Sequence, residues 1–268
     1  MALSAVLFLF LTHLGIGVAL SLSVVSKTVG VKFFRFNAGL AAILIAAAFV
    51  FRPPDAAATN PGHVAVVALA IAEASVVVYW ATVGRTLASI RPAIAATGVG
   101  AGVVALVAQA LAVASGRAVT VQAMTVASFL SSAALLGGAC TAMILGHWYL
   151  VIPSLEASHL QSIVMVHIAS TLVRVAVVAA AVFLAIATWQ PGLGPSFRHY
   201  ITSVSGVFFW QRVLFGLFGP ALLSYLTWET AKIRSTQSAT GILYVDFFTV
   251  VVGEVLAKYL LLATRVPV

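Results

Sequence analysis

The chain has 268 residues, 62% of them hydrophobic and only 7% charged, with a mean hydropathy of +1.14. A soluble domain of this size needs about 25% charged residues, so a soluble fold is excluded and an integral membrane protein is implied. The net charge of +8 comes from Lys and Arg placed singly between apolar runs, where they set topology, so no nucleic-acid partner is expected.

The apolar runs are helix-length and lack the alternation of a β-barrel, so the predicted class is all-α with lipid as its solvent. One cysteine, Cys140, sits inside an apolar run. No disulfide framework and no Cys-rich iron–sulfur or zinc site can form within the chain. The start has no basic region and no cleavage pattern, so the first apolar run is expected to be a retained span.

Eight spans of about 20 residues or more are predicted. Span one, from about Leu3 to Ser26, holds His13 and the small residues Gly15, Gly17, Ala19, Ser21 and Ser23, which favour close helix packing. A basic connector, Lys27–Phe36, leads to span two, about Asn37 to Phe51. Pro53, Pro54, Pro61 and Gly62 mark a turn-rich loop. Span three, about His63 to Gly84, carries Glu73, and span four, about Ala93 to Ser115, carries Gln109. In span four, Gly98, Gly100 and Gly102 read as helix packing. Span five runs from about Val119 to Ile152 and ends in the segment Gly146–Pro153. Span six, about His159 to Trp189, carries His167 and Arg174, and a Pro/Gly loop, Gln190–Arg198, follows. Span seven, about Tyr200 to Thr230, carries Arg212 and Pro220. Span eight, Gly241 to Leu262, carries Asp246, Glu254 and Lys258 roughly on one helix face.

The loops after spans one, three and seven hold Lys27, Lys32, Arg35, Arg85, Arg91, Lys232 and Arg234, against Arg52, Arg117 and Arg198 after spans two, four and six. The positive-inside rule puts the first set in the cytoplasm and both termini outside. Leu14–Gly17 is echoed by Leu136–Ala139, which points to a weak repeat of residues 1–118 and 119–268 within one transmembrane domain, arranged as two four-helix bundles.

Ionisable groups inside a bilayer mark a pathway, a pair or a site. At about 1.5 Å per residue, His13, Glu73, Arg212 and Glu254 lie roughly 14 to 16 Å from the outer side, and Arg174 roughly 21 Å. One reading is a structural bridge such as Arg212 to Glu254. The other is a quinone or proton site: a carboxylate accepts the quinol proton, an imidazole relays it, and an Arg holds the quinone oxygen or tunes the carboxylate.

His147 and His167 fall at similar depth near the inner side, roughly 8 and 12 Å. They read either as ligands of a b-type haem or as interfacial residues beside Trp148 and Tyr149. Asp246 reads as the start of a proton path toward Glu254, or as an edge residue paired with Lys232 or Arg234. Lys258 reads as a snorkelling anchor at the outer interface. No Walker loop, GxSxG elbow, HExxH or dinucleotide fingerprint is present.

Two segments carry a family resemblance. Leu7–Gly17 (LFLFLTHLGIG) is similar to the opening span of dimethyl sulfoxide reductase membrane anchors, and Gly253–Tyr259 (GEVLAKY) to a Gly-Glu-x-x-x-basic ending of the same anchors. With eight spans, the chain resembles the anchor subunits of polysulfide, nitrite and dimethyl sulfoxide reductase complexes. That resemblance implies a haem-free subunit of the bacterial inner membrane, exchanging electrons between quinol and a docked iron–sulfur or cytochrome subunit, with His13 and Glu73 as quinol contacts. The expected cofactor is menaquinone or ubiquinone. The alternatives are a cytochrome subunit using haem b on His147 and His167, and a secondary transporter or proton-path protein lined by Glu73, Arg174, Arg212, Asp246 and Glu254.

Overall fold

The computed structural model describes residues 3–152, 157–189 and 196–268. Among these every regular element is helical and none is a strand. Eight segments are long and apolar enough to cross a membrane, and the chain is an all-α, multi-pass membrane protein.

Helix α1 (Leu3–Ser21) is followed by a short 3-10 turn over Lys27–Val29, capped by Ser26. Helix α2 (Val31–Val50) begins at Gly30, whose φ of +101° suits glycine. The expected basic connector is therefore shorter than Lys27–Phe36, and Lys32 and Arg35 ride on the opening turns of α2. Helix α3 (Asn60–Thr82) starts where the Thr59 hydroxyl accepts a bond from Gly62 N, with Pro61 in the first turn. Helices α4 (Arg91–Val113), α5 (Val119–Val151) and α6 (Ala157–Ala187) match the predicted spans to within a turn. Pro153 and residues 190–195, which belong to the expected Gly146–Pro153 and Gln190–Arg198 segments, lie outside the described residues.

Span seven is not one helix. A short helix α7 (Phe197–Thr202) and a 3-10 turn lead into α8 (Val207–Val213). A π-helical turn, Leu214–Phe218, follows, and α9 (Gly219–Lys232) completes the span with Pro220 in its first turn. Helix α10 (Thr236–Thr264) is the last, ending where Arg265 takes a left-handed conformation and turns the chain back.

In the first half, α1 packs on α2, α2 on α3, α3 on α4, and α4 back on α1. In the second half, α5 packs on α6, α6 on α9, α9 on α10, and α10 back on α5. Two four-helix rings result, joined chiefly where α1 lies against α5. The small-residue echo meets at this seam: a Cβ on Gly17 would run into the Ala133 carbonyl, and one on Gly137 into the Gly17 backbone. Only glycine allows that approach. α5 is the most enclosed span. Large apolar side chains such as Ile43, Leu172, Phe183 and Phe248 stand on the outside, where lipid covers them.

Contacts between helix ends fix the direction of each span. Thr28 bonds His159, Arg35 bonds the Val83 carbonyl, Gln161 bonds the Ala231 carbonyl, and Thr240 bonds the Gly146 carbonyl. These ends form one face, which also carries seven of the 14 Lys and Arg, against four on the opposite face. It is called the basic face below, and the opposite one the far face.

Candidate functional site

The polar residues of α10 are organised by its periodicity. Asp246, Glu254 and Lys258 all turn inward and are buried. Glu254 is the centre of the larger group. Its Oε1 accepts from Arg174 Nε at 2.9 Å and Arg212 Nη2 at 2.8 Å. Its Oε2 accepts from Arg174 Nη2 at 3.2 Å and from the Ser132 hydroxyl at 2.5 Å. Arg174 is held in turn by Ser128, through its hydroxyl at 2.8 Å and its carbonyl at 3.2 Å, and by the Val268 backbone oxygen at 3.3 Å. Four of the five residues expected to share a site are thus brought together: His13, Arg174, Arg212 and Glu254.

His13 joins through Ser132, whose Oγ lies 3.1 Å from His13 Nδ1. Hydrogen-bond counting orients this link. Ser132 has one proton to give, and the carboxylate can only accept, so that proton goes to Glu254. His13 then donates from Nδ1, which leaves Nε2 as an acceptor. Nε2 is buried and has no partner. The Gln109 side chain interacts with the His13 ring, and its Oε1 is likewise buried and without a partner. Gln109 also lines a cleft of about 440 Å³ on the far face, together with Phe8, Leu9, Asp55, Thr59 and Arg265. A polar sequence therefore runs from the cleft through Gln109, His13 and Ser132 to Glu254.

Lys258 departs from expectation. It is 2% exposed and does not snorkel. Its Nζ donates to Ser132 Oγ at 2.7 Å, stands 3.5 Å from Glu254 Oε2, and lies 5.5 Å from the centre of the Phe129 ring. The same ring meets His13 edge-on at 4.6 Å. Three cationic side chains thus surround one carboxylate.

A second buried pair lies nearer the basic face. His167 Nε2 and Asp246 Oδ2 are 2.6 Å apart and both side chains are fully buried. Asp246 is therefore not an edge residue; Lys232 pairs with Glu229 at 2.7 Å instead. His167 Nδ1 and Asp246 Oδ1 have no further partner. His147 is exposed and bonds Tyr244 at 2.8 Å, so His147 and His167 face different neighbours. His159 bonds Thr28 at 2.8 Å.

Glu73 stands apart. It is half-buried on α3, with no hydrogen bond or ion pair to the Glu254 group among the described residues, and its Oε2 is without a partner.

The π-helical turn bears directly on Arg212. A Cβ on Gly216 would collide with Arg212 Nη1 and would lie 2.6 Å from the Gly253 Cα. Two facing glycines thus let α10 approach the turn closely enough for Arg212 to reach Glu254. The extra residue of a π turn re-aims the helix at this point. Ser128, Ser132 and Lys258 are the site residues that depth counting missed. A Ser at each of two positions four apart on α5 was the available signal, since such a stripe shares a helix face.

No protein-family model and no curated protein matches the chain, so the functional reading rests on this geometry.

Proposed function

We propose that the chain is the quinone-interacting membrane subunit of a bacterial respiratory oxidoreductase, and that His13 takes up a proton from quinol at the far-face cleft. The observation that carries the reading is the oriented sequence His13 Nδ1–H to Ser132 Oγ–H to Glu254 Oε2, with His13 Nε2 left as a buried, free acceptor. A quinol headgroup in the cleft would present one hydroxyl to Gln109, which lines the cleft and stands next to the buried His13 ring. Bound quinol supplies two electrons, for an iron–sulfur or cytochrome partner, and two protons. His13 accepts one of those protons at Nε2 and releases its own from Nδ1 toward Ser132, while the second quinol proton leaves to water through the cleft. Arg174 and Arg212 hold Glu254 at the end of this relay. The two segments resembling dimethyl sulfoxide reductase anchors are the ones that bring His13, Glu254 and Lys258 to this place. The haem reading takes no support from the separate settings of His147 and His167.

The test is quinol-linked turnover in membranes carrying the complex, after co-purification identifies the redox partner. Ser132→Ala and Glu254→Gln should each lower turnover by about 10²-fold or more while the protein still inserts. Wild-type turnover in both variants overturns the assignment.

A second reading, a proton-path or secondary-transport protein, is favoured by the buried His167–Asp246 pair and by the π turn that interrupts span seven ahead of Pro220. Interrupted helices accompany substrate sites in many transporters. Ion or proton flux by the lone chain in liposomes, without any redox partner, is the result that would favour it.

A further inference from the structure

A groove of about 650 Å³ runs up the outside of the first bundle from the basic face. Its mouth is set by Lys32 and Arg35 on α2, its sides by Trp80 and Trp148, and its floor by Gly39, Ile43 and Val77. The floor is open because Gly39 has no side chain: a Cβ there would lie 2.9 Å from Trp80 Nε1. From Lys32 to Ile43 is 11 residues of helix, about 16 Å, close to the roughly 15 Å of hydrocarbon in one leaflet.

Among the described residues the charges at the mouth pair with no carboxylate. Arg35 is half-buried and gives Nη2 to the Val83 carbonyl at 2.6 Å. Lys32 is exposed. The one described carboxylate at the surface of this face, Glu229, is taken by Lys232. A site with an apolar shaft, tryptophans at interface level and uncompensated cations at the top fits one ligand chemistry, a phosphate joined to an acyl chain.

We infer that this groove is a binding site for an anionic phospholipid of the leaflet on the basic face, with its phosphate between Lys32 and Arg35 and one acyl chain along Gly39, Ile43 and Val77. The site is independent of the quinone assignment, since it lies on the other bundle face and shares no residue with the Glu254 group.

Native mass spectrometry of the purified full chain tests it, after exchange into micelles of phosphatidylglycerol mixed with phosphatidylcholine. The wild type should retain phosphatidylglycerol in preference to phosphatidylcholine. Lys32→Gln should weaken that retention about five-fold, the value of one basic group near an anionic surface. Ile43→Trp, at an exposed position that disturbs no core contact, should fill the shaft and abolish retention of both lipids, with the helical circular dichroism unchanged. Glycerol 3-phosphate, which has the headgroup charge without the chain, should not compete. Equal retention of the two lipids, or unaltered retention in both variants, overturns the proposal. So does displacement of the lipid by poly-glutamate, which would assign this face to an acidic protein partner.

Discussion

Ser132 is the residue on which a structural bridge and a working site can be told apart. It carries no charge, yet it accepts from Lys258 and His13 and donates to Glu254. Ser132→Ala keeps every ion pair and removes the link between His13 and Glu254, so its loss of stability should be about 1 kcal/mol. Glu254→Gln leaves Arg174, Arg212 and Lys258 facing one another without a carboxylate. Breaking a buried pair from one side costs about 3 to 5 kcal/mol, and thermal unfolding in detergent should show that difference between the two variants. A bridge with no further role predicts that turnover falls in proportion to stability. A relay predicts that Ser132→Ala is as inactive as Glu254→Gln despite being far more stable. Glu73→Gln, on the outlying α3, should change neither quantity. The depth of His13, Arg212 and Glu254 was legible from their distance to the span ends, since an α-helix converts residue count into height. Their partners were less so. Lys258 counts as shallow along α10, but the chain turns back at Arg265, and Val268 joins Phe197, Phe209 and Leu217 in a buried cluster over that end. No periodicity in four residues foretells such a return. Asp246 and His167, by contrast, each lie ten residues inside their own helix on the basic side, roughly 15 Å deep. Comparing those depths would have paired them.

At the scale of elements, span seven shows how local backbone sets the site. Its composition predicts a continuous helix, and only Pro220 announces a break. The π turn over Leu214–Phe218 depends on tertiary fit, the Gly216–Gly253 approach, which a single span's sequence does not reveal. Gly216→Ala adds a methyl that would overlap Arg212 Nη1 and press on Gly253. Neither neighbour can retreat, one being backbone and the other bound to Glu254. The substitution should destabilise by about 1 to 3 kcal/mol, as overpacking does, and should lower turnover more than Gly100→Ala, where nothing lies within 4 Å of the added atom. Thermal melts and turnover of the two variants side by side measure this. The α1–α5 seam was partly legible for the same reason that it exists. Small residues recurring on both helices license close approach, and Gly17 and Gly137 meet there, although which helices would meet had to come from the fold.

Across the whole molecule the two buried groups make a directional arrangement. Both lie in the second bundle, on α6 and α10: His167 and Arg174 are seven residues apart on one helix, Asp246 and Glu254 eight on the other. The pairs are therefore stacked about 10 to 12 Å apart, one toward the basic face and one toward the far-face cleft. Thr171 and Thr249 stand between them, their hydroxyls bonded to the backbone oxygens of His167 and Asp246. A quinol site at the far face alone has no use for the deeper pair. A protein that also moves protons between its faces does. The distinction is measurable in liposomes containing the complex with a pH-sensitive dye inside. Asp246→Asn removes the carboxylate from His167 while leaving the hydrogen bonds from His13 through Ser132 to Glu254 in place. If the deeper pair conducts, quinol turnover should stay within a few-fold of wild type while the proton movement that accompanies it falls by about 10²-fold. If the pair only ties α6 to α10, the variant should lose about 1 to 3 kcal/mol of stability, with proton movement per turnover unchanged.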